Sequence, residues 1–107
     1  MEAQLKKGII EMCLLHILSE GDEYGYPLMN RLKESFIGTD DSTYYSILRR
    51  LAASGYTEAY TGSVSGGPAR KYYRITDTGR QYLNDLESQW LQLVAIVREI
   101  GIGGDMK

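Results

Sequence analysis

Between Asp40 and Thr76 the chain reads DDSTYYSILRRLAASGYTEAYTGSVSGGPARKYYRIT, and its hydrophobic period changes within that stretch from helical to strand-like. Asp41 or Ser42 can serve as a helix N-cap. After it, Tyr44, Leu48 and Leu51, with Ile47 beside them, gather on one side of a wheel turning about 100° per residue, while Ser42, Tyr45, Ser46, Arg49 and Arg50 spread over the other. Gly55 closes the helix. From Tyr56 the chain alternates Tyr56, Glu58 and Tyr60 against Thr57, Ala59 and Thr61, a period of two in residues that favour strands. GSVSGGPA is a glycine-rich turn, and RKYYRIT runs back as the partner strand. The stretch is therefore a short helix followed by a β-hairpin.

Two further helices precede it. From about Glu2 to Ser19, apolar residues including Leu5, Ile9, Met12, Cys13 and Ile17 cover so much of the surface that the helix must be buried on more than one side. Gly21 and Asp22 end it as a glycine cap and turn. In EYGYPLMNRLKESF, Pro27 suits a first helical turn, and Leu28, Leu32 and Phe36 recur at four-residue spacing. Tyr24 and Tyr26 flank Gly25 where this second helix starts, where they either pack the junction or present hydroxyls to a phosphate. IGTDD is a polar connection. Helix, turn, helix and hairpin in that order predict a winged helix-turn-helix: a mainly α fold with a small β-hairpin.

Charge is uneven along the chain. The net charge is -2, but residues 1–43 carry -4, residues 44–80 carry +4 and residues 81–107 carry -2. The basic segment coincides with the third helix and the hairpin, as binding to a polyanion requires. In a major groove Thr43, Tyr45 and Ser46 are small or planar enough to approach base edges, and Arg49 or Arg50 reaches phosphate or guanine. Arg70, Lys71 and Arg74 on the hairpin can straddle the backbone towards the neighbouring minor groove. Taken alone, the same cations also read as a solvated face or as guards of an edge strand.

Other classes find less in the chain. With 43% hydrophobic and 24% charged residues the protein is an ordinary globular domain rather than a disordered tail. Glu11 and His16 interrupt the apolar run near the N-terminus, and Lys6 and Lys7 precede no small-residue cleavage site. Neither a signal peptide nor a membrane span is expected, and the location is cytoplasmic. The single cysteine, Cys13, agrees with a reducing compartment. Cys13 and His16 are three apart, but no further ligands have metal-site spacing, so no metal or cofactor is expected. No nucleophile and base can be paired, and no phosphate-binding glycine loop precedes a helix, so an enzyme is excluded. A winged helix used as a protein-interaction adaptor, without DNA binding, is the rival. It should present an apolar or acidic face on the third helix.

Thr76 caps a last helix from about Asp77 to Ile100, where Leu83, Leu86, Trp90, Leu93, Val97 and Ile100 fall at spacings of three, four, three, four and three. This is a heptad seam. At about 36 Å for 24 residues the helix outreaches so small a domain. Its cover is a partner chain or the chain's own first helix. Trp90, in mid-seam, is a packing anchor or the wall of a flat cavity for an aromatic ligand. The tail GIGGDMK is expected to fray. Residues 1–76 thus form the DNA-binding unit and 77–107 a dimerisation helix with a short tail.

GGPARKYYRITDTGRQYL resembles the wing and following helix of PadR-family transcriptional regulators, in which Gly-Gly-x-x-Arg-Lys-Tyr-Tyr-x-Leu-Thr is followed by a glycine. EYGYPLMNRL is similar to that family's Tyr-Gly-Tyr start of the second helix, and STYYSILRRLAASGY to its recognition helix. The likeness spans roughly residues 5 to 100. Tyr44 stands where the family usually has leucine and Ser46 where it often has proline, so base preference does not carry over. The resemblance implies that Thr43, Tyr45 and Arg49 hold recognition-helix positions and that Arg70 and Lys71 hold the wing positions that grip DNA. It also implies a homodimer, in which each C-terminal helix packs against the N- and C-terminal helices of the other subunit. Two reading heads about 34 Å apart would then meet a palindromic operator. Several short PadR-like proteins respond to planar aromatic or drug-like molecules, which implies a repressor released by such a ligand.

Overall fold

The N-terminal helix α1 (Ala3–Glu20) runs through the centre of the domain. Ile10, Leu14, Leu15 and Leu18 are almost wholly shut from water, each contributing about 2 kcal/mol of hydrophobic stabilisation. Around them pack α2 (Gly25–Ser35), α3 (Asp41–Ala53) and the first half of α4 (Asp77–Ile100), as expected for a helix apolar on several sides. The computed structural model describes residues 3–63 and 67–103. Glu2, the middle of the hairpin turn (64–66) and the end of the tail (104–107) lie outside them.

The sheet has one strand more than the sequence indicates. β2 (Thr57–Gly62) and β3 (Arg70–Ile75) form the expected antiparallel hairpin, with Thr57 opposite Ile75 and Gly62 opposite Arg70. β1 (Glu23–Tyr24) adds to the free edge of β3, pairing Glu23 with Tyr73 and Tyr24 with Tyr72, so the order is β1-β3-β2. Two residues are too few to show a period, which is why this strand escaped detection. β1 begins so soon after α1 that Gly21 has no left-handed cap to form. Its N–H donates to the Leu18 carbonyl at 3.2 Å without a positive φ.

Each turn has a local cause. The N-cap of α3 is Asp40, not Asp41 or Ser42, and its side chain makes no capping hydrogen bond. Asp41 instead occupies the first helical position, where an acid complements the helix dipole, and pairs with Lys33 of α2. That carboxylate holds the Lys33 ammonium above its usual pKa. At the other end Gly55 adopts φ +81°, and the N–H groups of Gly55 and Tyr56 donate to the carbonyls of Ala52 and Leu51 at 3.0 and 2.9 Å, closing α3. Thr76 caps α4 as expected, its Oγ1 accepting from the Gly79 N–H at 2.9 Å.

The start of α4 is fastened to the end of α3. Thr76 N–H donates to Tyr56 O at 3.0 Å, and Thr76 Oγ1 donates to Gly55 O at 2.7 Å. Gly79 lies so close that a Cβ there would stand 2.0 Å from the Tyr56 carbonyl oxygen. Tyr82 stacks on Tyr56 with ring centres 4.1 Å apart. Further along, His16 Nδ1 of α1 meets Glu87 of α4 at 3.0 Å. Beyond Leu93 α4 leaves the domain, and the molecule has a long dimension of 56 Å.

Candidate nucleic-acid interface

Helix α3 divides as its sequence requires. Tyr44, Ile47, Leu48 and Leu51 are buried in the core, whereas Tyr45 and Arg49 are exposed, and Thr43 and Ser46 are half-buried between them. Spacings of three and four place Thr43, Ser46 and Arg49 in a row with Tyr45 alongside. Arg50 departs from this set. Its Nη1 lies 2.9 Å from Oε1 of Glu11 on α1, off the line of an N–H, so the contact is a close ion pair rather than an aligned hydrogen bond. Tyr82 of α4 donates to the other Glu11 oxygen at 3.2 Å.

Sequence reasoning missed the role of Glu11. It treated this residue only as an interruption of an apolar run. The available signal was an acid flanked by Ile10 and Leu14 on a helix buried on several sides, where a carboxylate needs partners. Glu11 is 5% exposed and joins α1, α3 and α4.

The three cations of β3 are distributed over both faces of the sheet. Arg70, Tyr72 and Arg74 face outward, while Lys71, Tyr73 and Ile75 take the inner side. Each cation lies over a tyrosine ring: Arg70 over Tyr24 at 5.5 Å, Lys71 over Tyr73 at 5.8 Å and Arg74 over Tyr60 at 5.0 Å. Tyr73 is buried on the inner side of the sheet. Burial, and then the nearby phenol of Tyr45, push its hydroxyl pKa up. Lys71 and Arg70 therefore stand on opposite sides of the strand. Arg74 donates to Glu58 at 3.2 Å. Among the described residues, no acid lies within ion-pair distance of Arg49, Arg70 or Lys71.

The heptad seam on α4 splits between two environments. Leu83 is buried in the chain's own core and Leu86 is partly buried against it. Trp90, Leu93, Val97 and Ile100 are exposed, Leu93 at 56% and Ile100 at 76%. Of the two covers considered for this helix, α1 of the same chain takes the first turns and leaves the rest bare. Leu86, Trp90 and Leu93 share a shallow cleft with Leu5, Ile9 and Met12 of α1, so one apolar surface continues across both helices. A larger cleft of about 650 Å³ opens on the other side of Trp90, lined by Met12, Cys13, Ile17, Leu32 and Phe36 among others. Among the described residues there is no group of three or more potential metal ligands, and no helix is long and apolar enough to cross a membrane.

A helix-turn-helix whose second helix is flanked by a small antiparallel sheet, with a long helix behind it, defines a winged helix-turn-helix domain. Residues 14–85 match the transcriptional regulator PadR-like family. The chain belongs to that family. Its members are transcriptional regulators rather than enzymes, and membership implies DNA binding. The fold is similar to a PadR-like transcriptional regulator from Bacillus cereus, at 32% identity over 92% of this chain and 96% of that one, with a TM-score of 0.84. A Streptococcus transcriptional regulator is as similar in shape, with a TM-score of 0.84 at 30% identity over 92% and 98% of the two chains. An uncharacterised protein of Lysinibacillus sphaericus is 35% identical over 101 residues, covering 91% of this chain and 92% of its own.

Proposed function

We propose that the protein is a homodimeric repressor that reads a palindromic operator through α3 and is released by a small aromatic or drug-like ligand. One observation carries the DNA contact: among the described residues, Arg49 on α3 and Arg70 and Lys71 on the wing are exposed without acidic partners, and Arg49 shares its side of α3 with the hydroxyls of Thr43, Tyr45 and Ser46. Cations left without acids are available to phosphates, and this face is neither apolar nor acidic as an adaptor would require. Arg50, held by Glu11, serves the scaffold. Residues 1–76 form the DNA-binding unit, and the bare surface shared by α1 and the end of α4 is the dimer contact. The cleft beside Trp90, walled by Leu32 and Phe36 and bordered by Arg31 and Glu87, is the place for an aromatic ligand.

The decisive experiment is a binding titration against duplex DNA from upstream of the gene, repeated over a range of salt. Binding should be tightest at an inverted repeat. Replacing Arg70 and Lys71 together by alanine should lower the slope of log affinity against log salt by roughly 2 per subunit. An unchanged slope removes the wing from the contact, and no binding to any duplex removes the DNA-binding reading itself. For the ligand, Trp90 fluorescence should quench saturably with planar aromatic compounds, and Trp90→Ala should abolish their binding.

A further inference from the structure

Arg70 is exposed at the end of a hairpin, where a free arginine would lose rotamer entropy on being fixed against a phosphate. The structure holds it in place beforehand. Its guanidinium carbon lies 5.5 Å from the centre of the Tyr24 ring, and Tyr24 is the residue at which β1 passes into α2. That ring is itself fixed. It meets Tyr72 edge-on at 5.6 Å, Tyr72 stacks on Tyr60 at 5.5 Å, and the Tyr60 hydroxyl donates to Asp22 at 2.6 Å. Asp22 precedes Tyr24 by two residues, so four side chains form a closed circuit across the outer face of all three strands.

We infer that Tyr24 is a positioning residue that aims Arg70 at a backbone phosphate, tying the wing to the start of α2, while Lys71 reaches a separate phosphate on the opposite side of the strand. A guanidinium whose carbon lies over a ring makes no hydrogen bond to it, so its N–H donors stay available to a phosphate. Arg74 has a similar seat on Tyr60, but Glu58 already holds its charge. Among the described residues, Arg70 alone on this face combines a seat with a charge that no acid engages. The inference rests on the proposed DNA contact, and its test separates the two.

The test is a double-mutant cycle, with affinity for a labelled duplex of mixed sequence measured at several salt concentrations. Tyr24→Leu removes the ring face and should weaken binding about two- to fivefold, the range of an exposed cation–π contact. Tyr24→Phe keeps the ring and should rescue that loss. Arg70→Ala should lower the salt slope by about 1 per subunit. In the Arg70→Ala background Tyr24→Leu should cost nothing further. Three results overturn the inference: Tyr24→Phe as damaging as Tyr24→Leu, which makes the hydroxyl the contact; full additivity of Tyr24→Leu and Arg70→Ala; or an Arg70→Ala variant with unchanged affinity and slope. Tyr24→Phe retains the packing, so the rescue arm decides even where the leucine variant folds poorly. A wild-type protein that binds no duplex refutes the DNA-binding proposal instead.

Discussion

Tyr44 is the largest side chain that α3 buries completely. Its wheel position predicts a core residue, and the core takes it, but a phenol takes its hydroxyl inside as well. That hydroxyl and Thr39 Oγ1 are both shut from water, and neither completes a hydrogen bond of good geometry. Burial pushes the Tyr44 pKa up, and the nearby Thr39 hydroxyl offsets only part of that push. A buried hydroxyl with no firm partner costs about 1–3 kcal/mol of desolvation, so Tyr44→Phe should leave stability unchanged or raise it by up to about 1 kcal/mol in urea unfolding. A loss above about 2 kcal/mol would mean that the hydroxyl is satisfied in solution. Glu11 lies at the opposite limit, since its buried carboxylate has Arg50 and Tyr82 as partners. Glu11→Leu would leave the Arg50 charge half-exposed, where solvent can replace its partner, and should cost well below the 3–5 kcal/mol of breaking a fully buried pair.

Among the elements, the junction of α3, β2 and α4 is the tightest. A glycine shortly after the wing belongs to the motif by which the sequence resembles PadR regulators, and the structure supplies its physical reason. Gly79 has no positive φ. It is required because the Tyr56 carbonyl occupies the space of a side chain. Gly79→Ala must push α4 away from the end of α3, disturbing the Thr76 cap and the Tyr56–Tyr82 stack. It should lower unfolding stability by upwards of about 2 kcal/mol. Because the same junction orients α3 relative to α4, DNA affinity should fall in variants that remain folded. Thr76→Ala, which loses only the cap, should cost about 1 kcal/mol.

At the scale of the whole molecule, α4 is too long for the domain that anchors it. Its first turns are held by Glu87 and Tyr82 against α1, and its remaining turns carry Leu93, Ile96, Val97 and Ile100 into solvent. Leu83 and Leu86 serve the chain's own core, so substitutions there would confuse folding with assembly. Val97→Asp is the cleaner probe. If the proposed dimer forms through this surface, the substitution should leave the helical circular dichroism and the melting of the domain nearly unchanged while giving monomers in sedimentation, with affinity for the proposed operator falling because its two half-sites are no longer linked. A dimer that survives Val97→Asp would place the interface elsewhere.

Most of the elements and their order were legible in the sequence because they arise from short-range physics. A period of 3.6 or 2, a threonine before Asp77, a glycine after Ser54 and a proline in a first turn act within four residues of themselves. The two faces of α3 follow from the same spacing. Other features depend on which side of one element meets another. Spacing assigned Arg50 to the reading face, and only the approach of α1 turned it towards Glu11. Spacing joined Leu83 and Ile100 in one seam, and only the packing of α1 against half of α4 divided them. Nothing local marks Glu23 and Tyr24 as a strand, because they become one only where β3 offers an open edge. That pairing is what brings the Tyr24 ring beneath Arg70, a contact between residues 46 positions apart that the tertiary structure alone creates.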